Sequence, residues 1–240
     1  HHDEPVLIIK TAWGGKSLWR DFRSPSAGLP ESRMEELLEQ AKKKNPEPTM
    51  EEIEASFGHS YREMLREVRV TLGEAGERFP MLKGRRLELR GAVWFQGWND
   101  MIDERATAEY ADNMAHWIRD LRRDLGVPDL PVVVGQLGVG GPLEEGQEPK
   151  KQAFKDAQAA AALLPEWQGT VALVKTDQFW DWTADAVFKK GWREHIEEWE
   201  KVGSDYPYHY LGSAKCYSDI GRAFAQALIA LEIRPSPSRD

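Results

Sequence analysis

The sequence has 240 residues, of which 41% are hydrophobic and 30% are charged, and its formal net charge is −8. This composition is typical of a folded globular protein and excludes the disordered and collagen-like classes. The acidic balance disfavours nucleic acid as a partner, because nucleic-acid affinity depends largely on clustered Lys and Arg. No apolar run reaches the roughly 18 residues of a membrane span, so we expect no membrane partner.

Four short apolar runs indicate buried strands, at residues 6–12, 92–96, 130–137 and 170–176. Their continuous rather than alternating hydrophobicity favours a parallel sheet that is covered on both faces. Helical patterns separate the runs, and this alternation predicts an α/β protein. We expect a doubly wound, flavodoxin-like parallel sheet flanked by helices in three layers.

Between the first two predicted strands, residues 31–44 and 50–72 are charged and favour helices, with a break at Asn45-Pro46-Glu47-Pro48. We interpret residues 31–79 as a helical insertion in a single domain that covers residues 1–233. The Pro-containing tail 234–240 is predicted to be disordered.

A later helical pattern shows a clear apolar face after the second strand. That face comprises Tyr110, Met114, Trp117, Ile118, Leu121 and Leu125. Charged residues of the same helix are expected to turn elsewhere, namely Arg119, Asp120, Arg122 and Arg123. The final helix has a similar face, with Ile220, Phe224, Ala227, Leu228 and Leu231.

Candidate site residues follow the strands, because open α/β sheets bind ligands beyond the carboxyl ends of their strands. Gly14 and Gly15 follow the first strand, and a tight turn there could bring bare N–H groups close to a reacting oxygen. Gln96 follows the second strand, and an amide donor to an oxyanion is worth about 3 kcal/mol. The alternatives are a plain turn at the glycines and a helix N-cap at Asn99 or Asp100.

Other chemistry is less well supported. Gly14-Gly15-Lys16-Ser17 does not fit a phosphate loop, because Lys10 occupies the position where that motif needs its first glycine. No pair of histidines has persuasive metal-ligand spacing, and we predict neither a metal nor a cofactor. The single cysteine, Cys216, is expected to be a packed side chain.

His209 lies in a loop with Asp205 four residues before it. This pair suits a general base whose second ring nitrogen is oriented by a carboxylate. A purely structural His–Asp pair is the alternative.

Four segments resemble, in order, blocks of one known family: 7–15 (LIIKTAWGG), 93–97 (VWFQG), 205–212 (DYPYHYLG) and 213–221 (SAKCYSDIG). They are similar to the "AWGG" turn, the "WxQG" block, the acid and histidine block, and the following helix of sialate O-acetylesterase-like SGNH hydrolases. That branch includes the carbohydrate esterase family 6 acetylxylan esterases. The resemblance runs over nearly all of the chain outside the helical insertion.

The resemblance implies an enzyme that hydrolyses acetyl esters on sugars by serine acyl transfer, without a metal. It implies His209 as the general base and Asp205 as its orienting acid. The oxyanion hole would be formed by Gly14 or Gly15 together with Gln96.

The resemblance also implies that the substrate is an O-acetylated carbohydrate. The residues implied to contact this substrate are Trp13, Trp98 and Asn99. Trp98 stands where the family usually has an acidic residue. A polysaccharide substrate would favour export of the protein.

The family's nucleophilic serine belongs to a "GQSN" block that precedes the "AWGG" turn, and no such block occurs before Val6. We therefore expect the serine on an N-terminal segment of the same protein that is not in this sequence. Ser17 is an internal candidate by elimination, as are Ser56 and Ser60.

The acid also departs from the usual pattern, since Asp205 lies four residues before the histidine and the commoner spacing is three. The alternative function is a noncatalytic carbohydrate-binding protein of the same fold. In that protein Trp13, Trp98 and Trp180 would stack against sugars.

Overall fold

The computed structural model describes residues 5–44 and 47–233. Asn45 and Pro46 of the predicted break, and the predicted disordered tail 234–240, lie outside the described residues. Contacts divide the chain into two compact units, His1–Arg90 with Asp112–Pro128 and Gly91–Ala111 with Asp129–Asp240. The single domain over residues 1–233 with its helical insertion stays a prediction.

The regular secondary structure described for the first unit is all helical. Its elements are α1 (Glu31–Lys42), α2 (Met50–Ser56), α3 (His59–Arg78), the later part of α5 (Glu104–Leu125), and short 3₁₀ turns at Pro25–Ala27 and Pro80–Leu82. Thr49 begins α2 with a capping box, in which its side chain accepts the Glu52 N–H and Glu52 accepts the Thr49 N–H. The helix predicted at 31–44 is present as α1, whereas the stretch predicted as one helix at 50–72 forms two, α2 and α3, which are separated at Phe57 and Gly58.

The apolar face predicted for α5 is buried at Tyr110, Met114, Trp117, Ile118 and Leu121. The prediction that all the charged residues of this helix turn elsewhere is wrong, because Asp120 and Arg122 are buried too. Asp120 accepts the backbone N–H of Ser26 at 2.8 Å and pairs with Arg123 at 2.5 Å. A buried carboxylate needs such partners, and spacing along a helix does not reveal them.

The second unit contains a three-stranded parallel sheet in the order β1-β2-β3. The strands are β1 (Ala92–Trp94), β2 (Val132–Gln136) and β3 (Val171–Lys175), with Val132 in register with Ala92 and Val171. Its helices are α4 (Trp98–Met101), the start of α5, α6 (Pro149–Ala162), α7 (Trp182–Lys189), α8 (Ile196–Trp199) and α9 (Ala214–Ile233). Three of the four predicted strands are thus confirmed.

Helices cover both faces of this sheet at its central strand. A Cβ on Gly135 would meet the Phe224 ring of α9, whereas the Gln136 side chain donates to a carbonyl of α6, that of Lys155, at 2.7 Å. Successive strand residues point to opposite faces, so α9 and α6 lie on opposite sides of β2. All five residues of β2 are buried, as expected for a strand covered twice. The structure is α/β, and its helix-flanked parallel sheet is consistent with an SGNH-like fold.

The strand predicted at residues 6–12 is wrong. Residues 5–13 have no regular secondary structure, and Val6 and Ile8 are 77% and 83% exposed. A strand is stabilised by pairing with a neighbour as well as by its composition, and this segment pairs with no described strand. The strand was predicted from apolar content alone, and that content does not show whether a pairing neighbour is present.

Candidate active site at the carboxyl ends of the strands

The predicted acid–base pair is formed. His209 Nδ1 lies 2.9 Å from Asp205 Oδ2, and both side chains are open to solvent, at 59% and 45% exposure. An ionised carboxylate only accepts hydrogen bonds, so Nδ1 carries a proton and the neutral ring keeps its lone pair on Nε2. Among the described residues, Nε2 makes no hydrogen bond. The ring is thus held in the tautomer that a general base requires.

Asp205 is kept ionised by its surroundings. A hydrogen bond from the Tyr206 backbone N–H is the largest influence and lowers the pKa of Asp205. Burial acts in the opposite direction, and the hydrogen bond to His209 lowers the pKa further. The net pKa lies below the usual value for aspartate, so the carboxylate is charged throughout the neutral range.

Residues 204–213, the His209 segment, have an unusual backbone. Tyr210, Leu211 and Gly212 all have left-handed conformations, with φ of 52°, 61° and 59°. For the two non-glycine residues this costs about 1–3 kcal/mol each, so other contacts must hold the conformation. A Cβ at Gly212 would lie 2.2 Å from the Ser204 side-chain oxygen, which reserves the position for glycine.

Hydrogen bonds within the His209 segment supply part of that support. The Leu211 carbonyl accepts the N–H groups of Ser204 and Asp205, at 2.8 and 3.2 Å. The Tyr206 carbonyl accepts those of His209 and Leu211, at 2.9 and 3.1 Å. These hydrogen bonds therefore join the beginning and the end of the His209 segment around the acid–base pair.

Tyr210 anchors the His209 segment to the ends of the strands. Its hydroxyl accepts the Gly138 N–H at 2.8 Å and lies 2.9 Å from Thr176 Oγ1. Thr176 Oγ1 donates its own proton to the Gln136 carbonyl at 2.7 Å, so Tyr210 must donate to Thr176. Burial raises the pKa of Tyr210 and keeps that proton in place. His209, the preceding residue, is thereby placed at the carboxyl ends of β2 and β3.

Gln96 is held by a network at the end of β1. Its Nε2 donates to Asp100 Oδ2 at 2.6 Å, and Asp100 is fully buried. Its backbone carbonyl accepts from Tyr110 and Gln158, at 3.3 and 3.2 Å. The bond to the buried carboxylate of Asp100 fixes the orientation of the Gln96 amide.

The helix-cap alternative for Asn99 and Asp100 is wrong. Asp103 is the residue that caps α5, since its side chain accepts the N–H groups of Arg105 and Ala106. Trp98 is half-buried, with its ring 5.7 Å from that of Tyr208, and Asn99 follows it in α4.

Gly14, Gly15 and Trp13 belong to the first unit. The two glycines form an exposed turn in which Gly15 has a φ of 69°. Trp13 is exposed and lies 6.0 Å from the Phe22 ring. Trp180 is 5% exposed, so the idea that it stacks against a sugar is wrong.

The internal serine candidates have structural partners. Ser17 Oγ donates to Asp21 and accepts the Arg20 N–H, which is a capping arrangement. Ser56 Oγ donates to the Ile53 carbonyl, and Ser60 is buried. Among the described residues no serine hydroxyl bonds to His209.

Two contacts were missed by sequence reasoning. Ser26 Oγ lies 2.8 Å from His116 Nδ1, a serine–histidine contact between residues far apart in the chain. Lys155 and Asp177 form a largely buried ion pair beside the end of β3. Asp177 lies two residues after β3 and could have been suspected from its position, but Lys155 lies within a helix and gave no signal.

Remaining features lie apart from these residues. A cavity of about 500 Å³ in the first unit is lined largely by leucine and glycine together with Arg85, and it contains none of the predicted site residues. Burial raises the pKa of Cys216 to about 11, consistent with a packed thiol. Within residues 5–44 and 47–233 there is no metal-binding cluster and no helix able to cross a membrane.

The described geometry defines an α/β protein with a histidine–aspartate pair at the carboxyl ends of parallel strands. Comparison with known proteins gives its family. The family "Carbohydrate esterase, sialic acid-specific acetylesterase" matches residues 1–179, and the chain belongs to this family. The match ends before Asp205 and His209.

A curated relative agrees over a short region. A probable carbohydrate esterase of Arabidopsis thaliana is 35% identical over 54 residues, which cover 22% of this chain and 21% of the relative. The match thus spans about a fifth of that protein. No solved structure matches the chain.

Proposed function

We propose that this protein is a carbohydrate O-acetyl esterase that hydrolyses acetyl esters on sugars by a Ser-His-Asp mechanism. The observation that carries the proposal is the 2.9 Å contact between His209 Nδ1 and Asp205 Oδ2, at the carboxyl ends of β2 and β3. Membership of the carbohydrate esterase family supports the reaction type and the substrate class.

In the proposed reaction a serine hydroxyl attacks the acetyl carbonyl while His209 Nε2 takes its proton. The protonated ring is stabilised by the Asp205 carboxylate. The sugar hydroxyl leaves with the proton that His209 returns, and an acetyl-serine remains. Water, deprotonated by the same nitrogen, then releases acetate.

Gln96 Nε2 in the second unit is a proposed oxyanion donor, and the resemblance to the family assigns the same role to backbone N–H groups of Gly14 or Gly15 in the first unit. Such donors act best when their positions are fixed before the reaction begins. The bond from Gln96 to buried Asp100 supports this role for the amide. Trp98 and Asn99, which follow on α4, and Trp13 are the proposed contacts to the sugar.

We place the nucleophilic serine on an upstream segment of the same protein. This is supported by the resemblance of residues 7–15 to the "AWGG" turn, which the "GQSN" serine block precedes. The structural roles of Ser17 and Ser56 agree with this placement.

The test is acetate release by the full-length protein from acetylated xylan and from p-nitrophenyl acetate. His209→Ala should lower kcat/KM by about 1,000-fold or more, on the scale seen when a triad base is lost. His195→Ala is the matched control, because His195 is also an exposed histidine of the second unit. Near-normal activity of His209→Ala would refute the proposal.

A second candidate is a noncatalytic carbohydrate-binding protein of the same fold. It is favoured by one observation, that no serine hydroxyl among the described residues bonds to His209. Sugar binding by the full-length protein without acetate release would support this candidate over the esterase.

A further inference from the structure

A chain of aromatic rings leads away from His209 in the second unit. The Tyr208 ring lies 4.5 Å from the His209 ring and 5.7 Å from the Trp98 ring. Tyr206 stacks on Tyr208, with ring centroids 5.5 Å apart and planes 6° from parallel. The proposed general base is therefore the end member of a continuous aromatic surface.

Tyr206 and Tyr208, here called the tyrosine pair, are both partly open to solvent. Each is 41% exposed, although neighbouring aromatic residues such as Trp199 are almost fully buried. Large side chains that remain exposed together commonly mark a binding surface. Their position next to His209 indicates a ligand that reaches the reacting group from this side.

The tyrosine pair also has polar edges. Arg193 Nη2 donates to the Tyr206 hydroxyl at 3.4 Å, and the guanidinium lies over the Trp192 ring at 4.5 Å. An apolar ring face with a hydrogen-bonding edge suits a ligand of the same character. Pyranose rings with equatorial substituents are such a ligand, because their axial C–H groups form apolar faces and their hydroxyls project sideways.

We propose that the tyrosine pair is a subsite for sugar units adjoining the acetylated one, so that the substrate is an extended glycan rather than a single sugar. This inference rests on the proposed esterase function and names its substrate class. It assigns specificity to Tyr206 and Tyr208, and leaves acyl transfer to His209 and Asp205.

The backbone permits a clean test. The His209 segment is closed by the Tyr206 carbonyl and N–H, and these groups survive replacement of the side chain by alanine. Tyr206→Ala/Tyr208→Ala therefore removes the rings and retains those hydrogen bonds. Phe79→Ala is a control matched in exposure, since Phe79 is 40% exposed and belongs to the first unit.

The first measurement is binding of unacetylated xylohexaose and cellohexaose to the full-length protein, by isothermal titration calorimetry. The wild type and Phe79→Ala should bind at least one of them equally well, and the double alanine variant should bind it at least tenfold more weakly. Tyr206→Phe/Tyr208→Phe keeps the rings and should bind within threefold of the wild type. Absence of binding by the wild type, or unchanged binding by the alanine variant, would overturn the inference.

The second measurement is acetate release from acetylated xylohexaose, acetylated xylose and p-nitrophenyl acetate. The alanine variant should lose at least tenfold in kcat/KM on the hexaose alone. An equal loss on all three substrates would show that the rings act on His209 and would overturn the subsite. If the wild type released no acetate from any of them, the esterase proposal would fail, while the binding measurement would still decide the subsite.

Discussion

The amino-terminal segment, residues 6–15, and the His209 segment are both predicted from sequence to serve the same chemistry, and their local structures differ. In the first, Val6 and Ile8 are exposed and only a glycine turn is defined. In the second, hydrogen bonds and a buried tyrosine hydroxyl hold three consecutive left-handed residues. Apolar composition alone does not fix a conformation, whereas a set of satisfied polar contacts does.

After the loss of His209 itself, the largest effect is expected at the acid of the His209 segment. Asp205→Asn should lower kcat/KM for acetate release by roughly 100-fold or more, because an amide neither fixes the required histidine tautomer nor stabilises the imidazolium. Asp219→Asn, on α9 of the same unit, is the control and should stay near the wild type. If Asp205→Asn kept an activity within threefold of the wild type, His209 would have to be oriented by a partner other than Asp205.

The other end of the His209 segment is held by a buried carboxylate. Ser213 Oγ donates to Asp181 Oδ2 at 2.6 Å, and Asp181 also accepts the N–H groups of Thr183 and Ala184. Asp181→Ala should lower the free energy of unfolding by about 2–3 kcal/mol, because these donors lose a charged acceptor. Urea unfolding at pH 7 measures the loss, and a change below 0.5 kcal/mol would contradict it.

Asp181 also predicts the direction of a pH effect. Burial raises its pKa, but the hydrogen bonds from Ser213 and the α7 backbone outweigh burial, and the net pKa is lowered. A lowered pKa gives stability that is present above the unfolded value of about 3.9 and is lost as the pH falls through the folded value. Below about pH 4, wild-type stability should fall more steeply than that of Asp181→Ala. Parallel slopes in that window would contradict this.

Substitution of Tyr210 tests whether its side chain anchors the His209 segment. Tyr210→Phe leaves the buried Gly138 N–H without its acceptor and should cost about 1–2 kcal/mol of stability. Misplacement of His209 should lower kcat/KM about tenfold. Tyr61→Phe removes another buried hydroxyl, the one that donates to Asp124, and should lower stability without changing kcat/KM. Equal kinetics for the two variants would show that Tyr210 does not position His209.

The smallest effect is expected in the amino-terminal segment. Ile8→Ser should change stability by less than about 0.5 kcal/mol, as is usual for exposed positions. Val133→Ala in β2 should cost about 1–3 kcal/mol, because it removes buried methyl groups. If Ile8→Ser were as destabilising as Val133→Ala in thermal or urea unfolding, residues 6–12 would be a buried strand after all.

Much of the second unit could be predicted because its signals are local. The continuous valine run of β2 indicates a strand that is buried on both faces, and the four-residue spacing of Asp205 and His209 permits their contact. The left-handed backbone at Tyr210 and Leu211 could not be predicted, since it depends on Gly138 and Thr176, which are distant in sequence. The burial of Trp180 and the contact of Ser26 with His116 were hidden for the same reason.

Labelling with a fluorophosphonate shows whether His209 activates a serine. The full-length protein, His209→Ala and His195→Ala would be treated, and the adducts mapped by mass spectrometry. We expect one labelled serine upstream of Val6, with labelling at least 100-fold slower in His209→Ala, the scale of losing a triad base, and unchanged in His195→Ala. Activation of an upstream serine by His209 would be contradicted by labelling of Ser17 or Ser26, by labelling that is equally fast in His209→Ala, or by no labelling of the wild type.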